Sequence, residues 1–246
     1  MRFGGLTAVG DLACLIGPRD LVGLIGPNGA GKTTVFNVIT GVYSPTEGDV
    51  VFQGKSIKGL KSCDITAHGI SRTFQNIRLF RGLSVFDNIR VSFAPKASHK
   101  AFGSFLRAGS FYAAEKDIEH KIMSLLEFFR LSHLRDEQAT SLPYGDQRRL
   151  EIIRALATDP KLLLLDEPAA GMNPTEKQDL MRLIRTLRDQ FNIAILLIEH
   201  DMSLVMGVCE RIMVLDYGIK IAEGTPEEIR HNPRVIEAYL GVEEKK

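Results

Sequence analysis

The chain has 246 residues, with Lys+Arg 31 against Asp+Glu 30 and a formal net charge of +1, the size of one large domain and no polyanion binder by charge alone. Hydrophobic residues at 44 % and charged residues at 25 % allow a real core and exclude disordered, collagenous, coiled-coil and disulfide-scaffold classes. The longest apolar runs, residues 162–165 and 193–198, fall far short of the roughly 20 needed to cross a bilayer. No apolar stretch follows Arg2 as a signal peptide would require, so the expected location is the cytoplasm. Cys14, Cys63 and Cys209 lack any C-x-x-C spacing and read as unpaired thiols of a reducing compartment.

Runs rich in Val, Ile and Leu alternate with helix-period segments, the pattern of an α/β fold whose sheet is buried by helices. Residues 21–25 form a strand ending at a Gly-rich turn, and Val35, Phe36, Val38 and Ile39 then predict a helix that stops at Gly41. From about residue 80 to 141 the strand signal fades, and Ile118, Ile122, Leu125 and Phe129 mark the apolar stripe of a helix in an inserted helical subdomain. Residues 95–109 mix Lys96, Lys100 and Arg107 with Phe102 and Phe105; the charges are few, which favours a solvated linker over a nucleic-acid or membrane-surface patch. Residues 161–165 and 193–198 read as strands apolar on both faces, followed by Asp166-Glu167 and Glu199-His200. Polar chemistry therefore collects at strand carboxyl ends, the edge where open parallel sheets bind ligands. Residues 211–215 and 219–222 flank Asp216-Tyr217-Gly218 as a hairpin, and Thr225-Pro226-Glu227-Glu228 opens a helix with a capping box.

Gly26-Pro27-Asn28-Gly29-Ala30-Gly31-Lys32-Thr33-Thr34 fits G-x-x-x-x-G-K-[ST] between a strand and a helix. Its glycines let backbone N–H groups turn around phosphate oxygens, the helix adds its dipole, Lys32 reaches the β and γ phosphates, and the Thr33 hydroxyl can ligate Mg²⁺. A nucleoside triphosphate is the implied ligand. Leu162-Leu163-Leu164-Leu165-Asp166-Glu167-Pro168 has the form of a Walker B strand, with Asp166 on Mg²⁺ through water and Glu167 as general base toward the attacking water. His200, after a neighbouring strand, would bond phosphate and order Glu167 and the water. The other five histidines show no metal-ligand spacing.

Leu142-Pro143-Tyr144-Gly145-Asp146-Gln147-Arg148-Arg149-Leu150 resembles the signature string of the ATP-binding subunits of ABC transporters. A tight turn with Gly145 and a helix carrying Leu150, Ile153 and Leu156 inward would present backbone N–H groups to phosphate. The resemblance spans the whole chain. It implies a P-loop NTPase core with a mixed sheet and a small N-terminal antiparallel β part at residues 1–80 and 159–246, and a helical subdomain with the signature at 81–158. It further implies ATP and Mg²⁺ as ligands and a head-to-tail dimer, with itself or a sister subunit, in which Pro143, Tyr144, Gly145 and Asp146 meet the partner's ATP. Gln75 in Arg72-Thr73-Phe74-Gln75 matches the Q-loop that senses Mg²⁺, Ala170-Gly171-Met172-Asn173 the D-loop, and Phe3 the aromatic that stacks on adenine.

Among ABC subunits, Ser71-Arg72-Thr73-Phe74-Gln75, Ala169-Ala170-Gly171-Met172-Asn173-Pro174 and Ile198-Glu199-His200-Asp201-Met202 look like the branched-chain amino acid importers. Lipopolysaccharide-export ATPases share much of the pattern, but usually with a Ser-Gly-Gly signature. Three features depart from the family: Pro143 stands where a serine donates to γ-phosphate, Asn173 replaces the D-loop Asp, and the strand expected ahead of Phe3 is absent, so adenine stacking would be loose or the start lies upstream. The implied activity is ATP hydrolysis driving integral membrane permease subunits, served indirectly by a periplasmic or extracellular binding protein, with the ATPase peripheral on the inner face of the membrane. A soluble P-loop kinase has no need of the signature. A nucleic-acid-linked ABC ATPase usually carries a coiled-coil insertion or two fused halves, so no nucleic acid is expected. Pro143 motivates the third alternative, a nucleotide-binding but weakly active subunit.

Overall fold

The computed structural model describes residues 1–93 and 108–240, the first five of the second segment by their backbone alone, so the basic and aromatic residues noted within 95–109 lie outside the described side chains. The chain begins with two two-residue strands, β1 (Arg2–Phe3) and β2 (Leu6–Thr7), then β3 (Leu21–Ile25) and α1 (Lys32–Ile39). A second small pair, β4 (Val51–Phe52) and β5 (Lys55–Ser56), precedes α2 (Ser62–His68) and β6 (Ile70–Arg72). Among the described residues, α3 (Val85–Arg90), α4 (Ala108–Phe128) and α5 (Tyr144–Leu156) follow. The rest alternates: β7 (Leu162–Asp166), α6 (Pro174–Phe191), β8 (Ala194–Ile198), α7 (Met202–Val208), β9 (Arg211–Asp216), β10 (Ile219–Gly224), α8 (Pro226–Arg230) and α9 (Pro233–Leu240).

Six strands form one mixed sheet in the order β10-β9-β3-β8-β7-β6, parallel throughout except for the β9–β10 hairpin. Every residue of β3, β7 and β8 is buried, which is why these strands read as unbroken apolar runs: a parallel sheet covered on both faces offers no wet side. Alternate residues serve opposite faces. Leu21, Leu163, Leu165, Ile195 and Leu197 face a core that takes Leu150 and Ile153 of α5, Ile184 and Leu187 of α6, and Leu204 and Val205 of α7. The same cluster runs on into Ile89 of α3 and Ile122 and Leu126 of α4, so the helices between β6 and β7 share a core with the sheet. Val22, Leu24, Leu164 and Leu196 face the second cluster, closed by Val35 and Phe36 of α1 and Ile65 of α2.

The expected apolar stripe is present, with Ile122 and Leu125 buried, Ile118 partly buried and Phe129 buried one residue beyond α4. Both halves of the Thr225–Glu228 capping box are made, and α1 ends with Gly41 in the left-handed region. The β1–β2 pair stands apart from the main sheet. It is tied in through the segment after it, where Gly10 N donates to Gly218 O at 2.8 Å and Gly218 N to Ala30 O at 3.0 Å. Phe36 is fully buried between α1 and the sheet, so Phe36→Ala is expected to lower unfolding free energy by about 3–5 kcal/mol, read from the urea midpoint at unchanged slope.

Candidate active site

The phosphate-binding turn starts where β3 ends. A Cβ built on Gly26 would lie 2.0 Å from the Leu215 carbonyl oxygen of β9, so only glycine lets the backbone cross at this height. Gly31 takes the N-cap place of α1 without any side-chain cap, and the N–H groups of Lys32, Thr33 and Thr34 have no intrahelical acceptor. Lys32 is buried beneath the loop, its Nζ donating to Gly26 O at 2.7 Å and Pro27 O at 2.9 Å. Burial pushes its ammonium pKa down, while the Glu167 and Asp166 carboxylates oppose the shift. Asn28, Gly29 and Thr33 are exposed on the outer side of this turn, and Ala30 is packed inside. These groups together form an oxyanion cradle with one cation at its base.

β7 and β8 are neighbours in the sheet, so the residues that follow them meet beside the cradle. Asp166 is buried, and its Oδ2 pairs with Arg72 Nη2 at 2.6 Å; Arg72 Nη1 donates to Asn37 Oδ1 of α1 at 2.7 Å. Glu167 has φ 44, an uncommon left-handed conformation for a non-glycine residue, and its N–H donates to Ile198 O at 2.9 Å. That strained turn aims its carboxylate at Gln75, whose Nε2 donates to Oε2 at 2.7 Å, with His200 Nδ1 at 3.6 Å from the same oxygen. Glu167, Gln75 and His200 are thus brought together, with the His200 side chain 64 % exposed. Phe3 is half-exposed on the β1–β2 pair, edge-on to Tyr43 with ring centroids 5.1 Å apart.

Pro143 is the N-cap of α5, and Tyr144, Gly145 and Asp146 form its first turn. The expected tight turn at Gly145 is not there. Gly145 is helical, a Cβ on it would meet only Glu176 Oε1 at 3.8 Å, and the extended ψ of 151° at Pro143 makes the bend. The N–H groups of Asp146 and Gln147 return to Pro143 O, so those of Tyr144 and Gly145 are left for an outside acceptor. The adjoining cleft, about 620 Å³, is lined by Pro143, Gly145, Asp146, Met172, Glu176 and Leu183 among others, and by no residue of the phosphate turn. Asn173 has a local explanation: it caps α6 in a box with Glu176, a task Asn performs as well as Asp.

Several residues escaped the sequence reading. Arg72 occupies one Asp166 oxygen. Glu199 is buried at the end of β8 and accepts from Ala169 N at 2.7 Å, its pKa raised by burial against the pull of those N–H donors. Arg148 and Glu151 are buried on α5 and bond the loop that carries Gln75. Only position gives their signal, since a charged residue at an inward helix position looks no different in sequence from one at the surface. The oxygen donors Thr33, Asp166 and the Gln75 amide suit a hard cation such as Mg²⁺ completed by phosphate oxygens.

A profile described as ABC transporter matches residues 9–170, well over half of the chain. The chain belongs to the ABC transporter family. Its residues 220–245 match a second profile, that of the branched-chain amino acid ATP-binding cassette transporter. The cassette is 48 % identical over 241 residues to the high-affinity branched-chain amino acid transport ATP-binding protein LivG of Escherichia coli K12, covering 98 % of this chain and 94 % of that one. It is 45 % identical to BraF of Pseudomonas aeruginosa at the same coverage, and 36 % identical to the E. coli lipopolysaccharide export ATP-binding protein LptB, covering 97 % of this chain and 93 % of that one. The crystal structure of a nucleotide-free ATP-binding cassette from an ABC transporter superposes with TM-score 0.84 at 32 % identity, over 98 % of this chain and 96 % of that one. An ADP-bound cassette of an ABC transporter gives the same score and identity, over 98 % of this chain and 95 % of that one. The cassette is therefore an ABC ATPase that binds nucleotide and couples ATP hydrolysis to transport. No helix among its described residues is long and apolar enough to cross a membrane.

Asp201 caps α7 directly after His200, accepting from Ser203 N at 3.0 Å and Leu204 N at 3.2 Å and pairing with Lys177. Lys177 and the Ser203 hydroxyl hold its carboxyl well below the usual aspartate range, so it adds stability above its unfolded value of 3.8 and loses it as pH falls below. Asp201→Asn keeps the cap but not the charge. Urea unfolding at a series of pH values should show the variant less stable by about 0.5–1 kcal/mol at pH 7, discounted for solvent screening, with the gap closing below pH 3.8.

Proposed function

We propose that this ABC ATPase energises the import of branched-chain amino acids, working as a dimer of cassettes docked on integral membrane permease subunits at the inner face of the membrane. The observation that carries the cargo is the match of residues 220–245 to the branched-chain transporter profile, continuous with 48 % identity to LivG. The importer's binding protein and permease would select the amino acid, and no residue of the cassette touches it. Residues 81–158 act as a helical subdomain that passes motion to the permease. Beside the Q-loop, Arg78, Phe80, Ser92 and Arg154 line a groove of about 400 Å³ suited to a permease loop.

In the chemical step Glu167 accepts a proton from water as the water oxygen bonds the γ-phosphorus; the bond to the bridging oxygen breaks and ADP leaves with that electron pair. Gln75 and His200, both against Glu167 Oε2, orient the carboxylate and the water. Lys32 leaves the Gly26 and Pro27 carbonyls to neutralise charge on the phosphates. Thr33, Asp166 and Gln75 would hold Mg²⁺, which would supply Lewis-acid stabilisation of phosphate charge. Arg72 occupies Oδ2 of Asp166, which leaves Oδ1 for that role. Tyr144 and Gly145 offer their free N–H groups to the partner's nucleotide, with Asp146 closing the same turn. Pro143 offers no hydroxyl there, so the contact to γ-phosphate is weaker than a serine would make it. Phe3 stacks on adenine from the exposed β1–β2 pair.

Glu167→Gln should cut ATP turnover by about 10²- to 10⁴-fold while equilibrium titration with ATP shows binding retained. Lys32→Ala should abolish tight ATP binding in the same titration. For the cargo, uptake of labelled leucine is measured in cells lacking the endogenous gene and complemented with this chain or with Glu167→Gln, isoleucine and valine competing. Uptake restored by the parent alone supports the reading. Failure of uptake with an active, stable ATPase points to another cargo, lipopolysaccharide first.

A further inference from the structure

We propose that Arg148 and Glu151 are positioning residues that clamp the Q-loop to the signature helix, so that the state of the signature face reaches Glu167 of the same chain through Gln75. The inference rests on the proposed roles of Gln75 and Glu167. Arg148 is fully buried, and its Nη1 and Nη2 donate to the carbonyl oxygens of two consecutive loop residues, Phe74 at 2.7 Å and Gln75 at 2.8 Å. Glu151, one helical turn on, accepts from Arg148 Nη1 at 2.8 Å through Oε2, while its Oε1 accepts from the N–H groups of Phe74 and Arg78, each at 3.2 Å. One turn of α5 therefore grips the loop by its acceptors and its donors at once.

Stability alone is a poor reason for such a pair, because replacing a buried ion pair by apolar residues is often neutral or stabilising. What the pair holds is the backbone of the residue whose side chain bonds Glu167 at 2.7 Å. Its other neighbour is Tyr144 in the first turn of α5, whose hydroxyl is 3.3 Å from Arg148 Nη2 and whose ring centroid is 5.9 Å from the guanidinium. Tyr144 is 46 % exposed beside the free N–H groups of that turn. Arg148 Nε is buried without a partner, so every hydrogen bond of the guanidinium runs through its two outer nitrogens. The connected path is Tyr144, Arg148, Gln75, Glu167. In a dimer its two ends belong to different nucleotides, which makes the clamp a coupling element between the two ATP sites.

The test is a double-mutant cycle on the full-length chain, with kcat normalised to the ATP-binding fraction and the thermal midpoint taken for each variant. Arg148→Lys puts one nitrogen where the guanidinium reaches the two carbonyls from two separate nitrogens; kcat is expected to fall about tenfold with KM for ATP changed less than about threefold. In a Gln75→Ala background the same substitution should cost less than about twofold, because both act through one side chain. Equal losses in both backgrounds, or an unchanged kcat in Arg148→Lys, overturn the clamp while leaving Gln75 in place. A Gln75→Ala protein with parental kcat overturns the role of Gln75 itself and the clamp with it. Should Arg148→Lys not fold, Glu151→Gln carries the same cycle with the same expectations.

Discussion

The close approach of the phosphate-binding turn to the carbonyl of Leu215 is the constraint on which the site depends. Three chain segments meet there: the turn after β3, the end of β9, and residues 8–10, which lie against Gly31 and Gly218. A Cβ on Gly31 would lie 2.5 Å from Ala8 O, and one on Gly218 would lie 2.6 Å from the same oxygen. Backbones can touch this closely only where no side chain intervenes. That contact sets the height of the turn above the sheet, and so the point toward which Lys32 and the N-terminus of α1 are aimed.

Parallel pairing does the remaining placement. Because β3, β8 and β7 run side by side in the same direction, their carboxyl ends emerge on one edge, delivering the phosphate turn, Glu199-His200 and Asp166-Glu167 to a common point. The edge is crowded with charge, and the protein manages it with specific partners: Arg72 for Asp166, backbone N–H groups for Glu199, Lys177 for Asp201. The Glu167 carboxylate accepts from the neutral amide of Gln75, with the His200 ring beside it and the Lys32 ammonium within its field.

The helices between β6 and β7 relate to the sheet in two ways. Their apolar residues continue the core of one sheet face, which joins α3, α4 and α5 to the body of the molecule by packing. Their polar link is narrower, with Arg148, Glu151 and Arg154 of α5 holding the backbone of residues 74–78.

Much of this was legible in the sequence because it depends on local physics. The phosphate turn, the doubly buried strands, the carboxylates after β7 and the Thr225 cap are each written in a short string whose residue types admit few conformations. The family resemblance added the Q-loop and the signature. Gly145 was misread as a turn residue because glycine in a string suggests a bend, whereas the bend is made by Pro143 and the helix has already begun. Arg72, Arg148, Glu151 and Glu199 were invisible for a different reason: a charged residue next to an apolar strand or on a helix is written the same way whether it faces water or a buried carbonyl. The sequence by itself determined the glycine-rich turn after β3 and the pair of carboxylates at the end of β7, because each is written in one short string. Only the tertiary structure decided which charges are buried and whom they hold, because those contacts join residues far apart in the chain, as for Arg148 with Gln75 and Arg72 with Asp166.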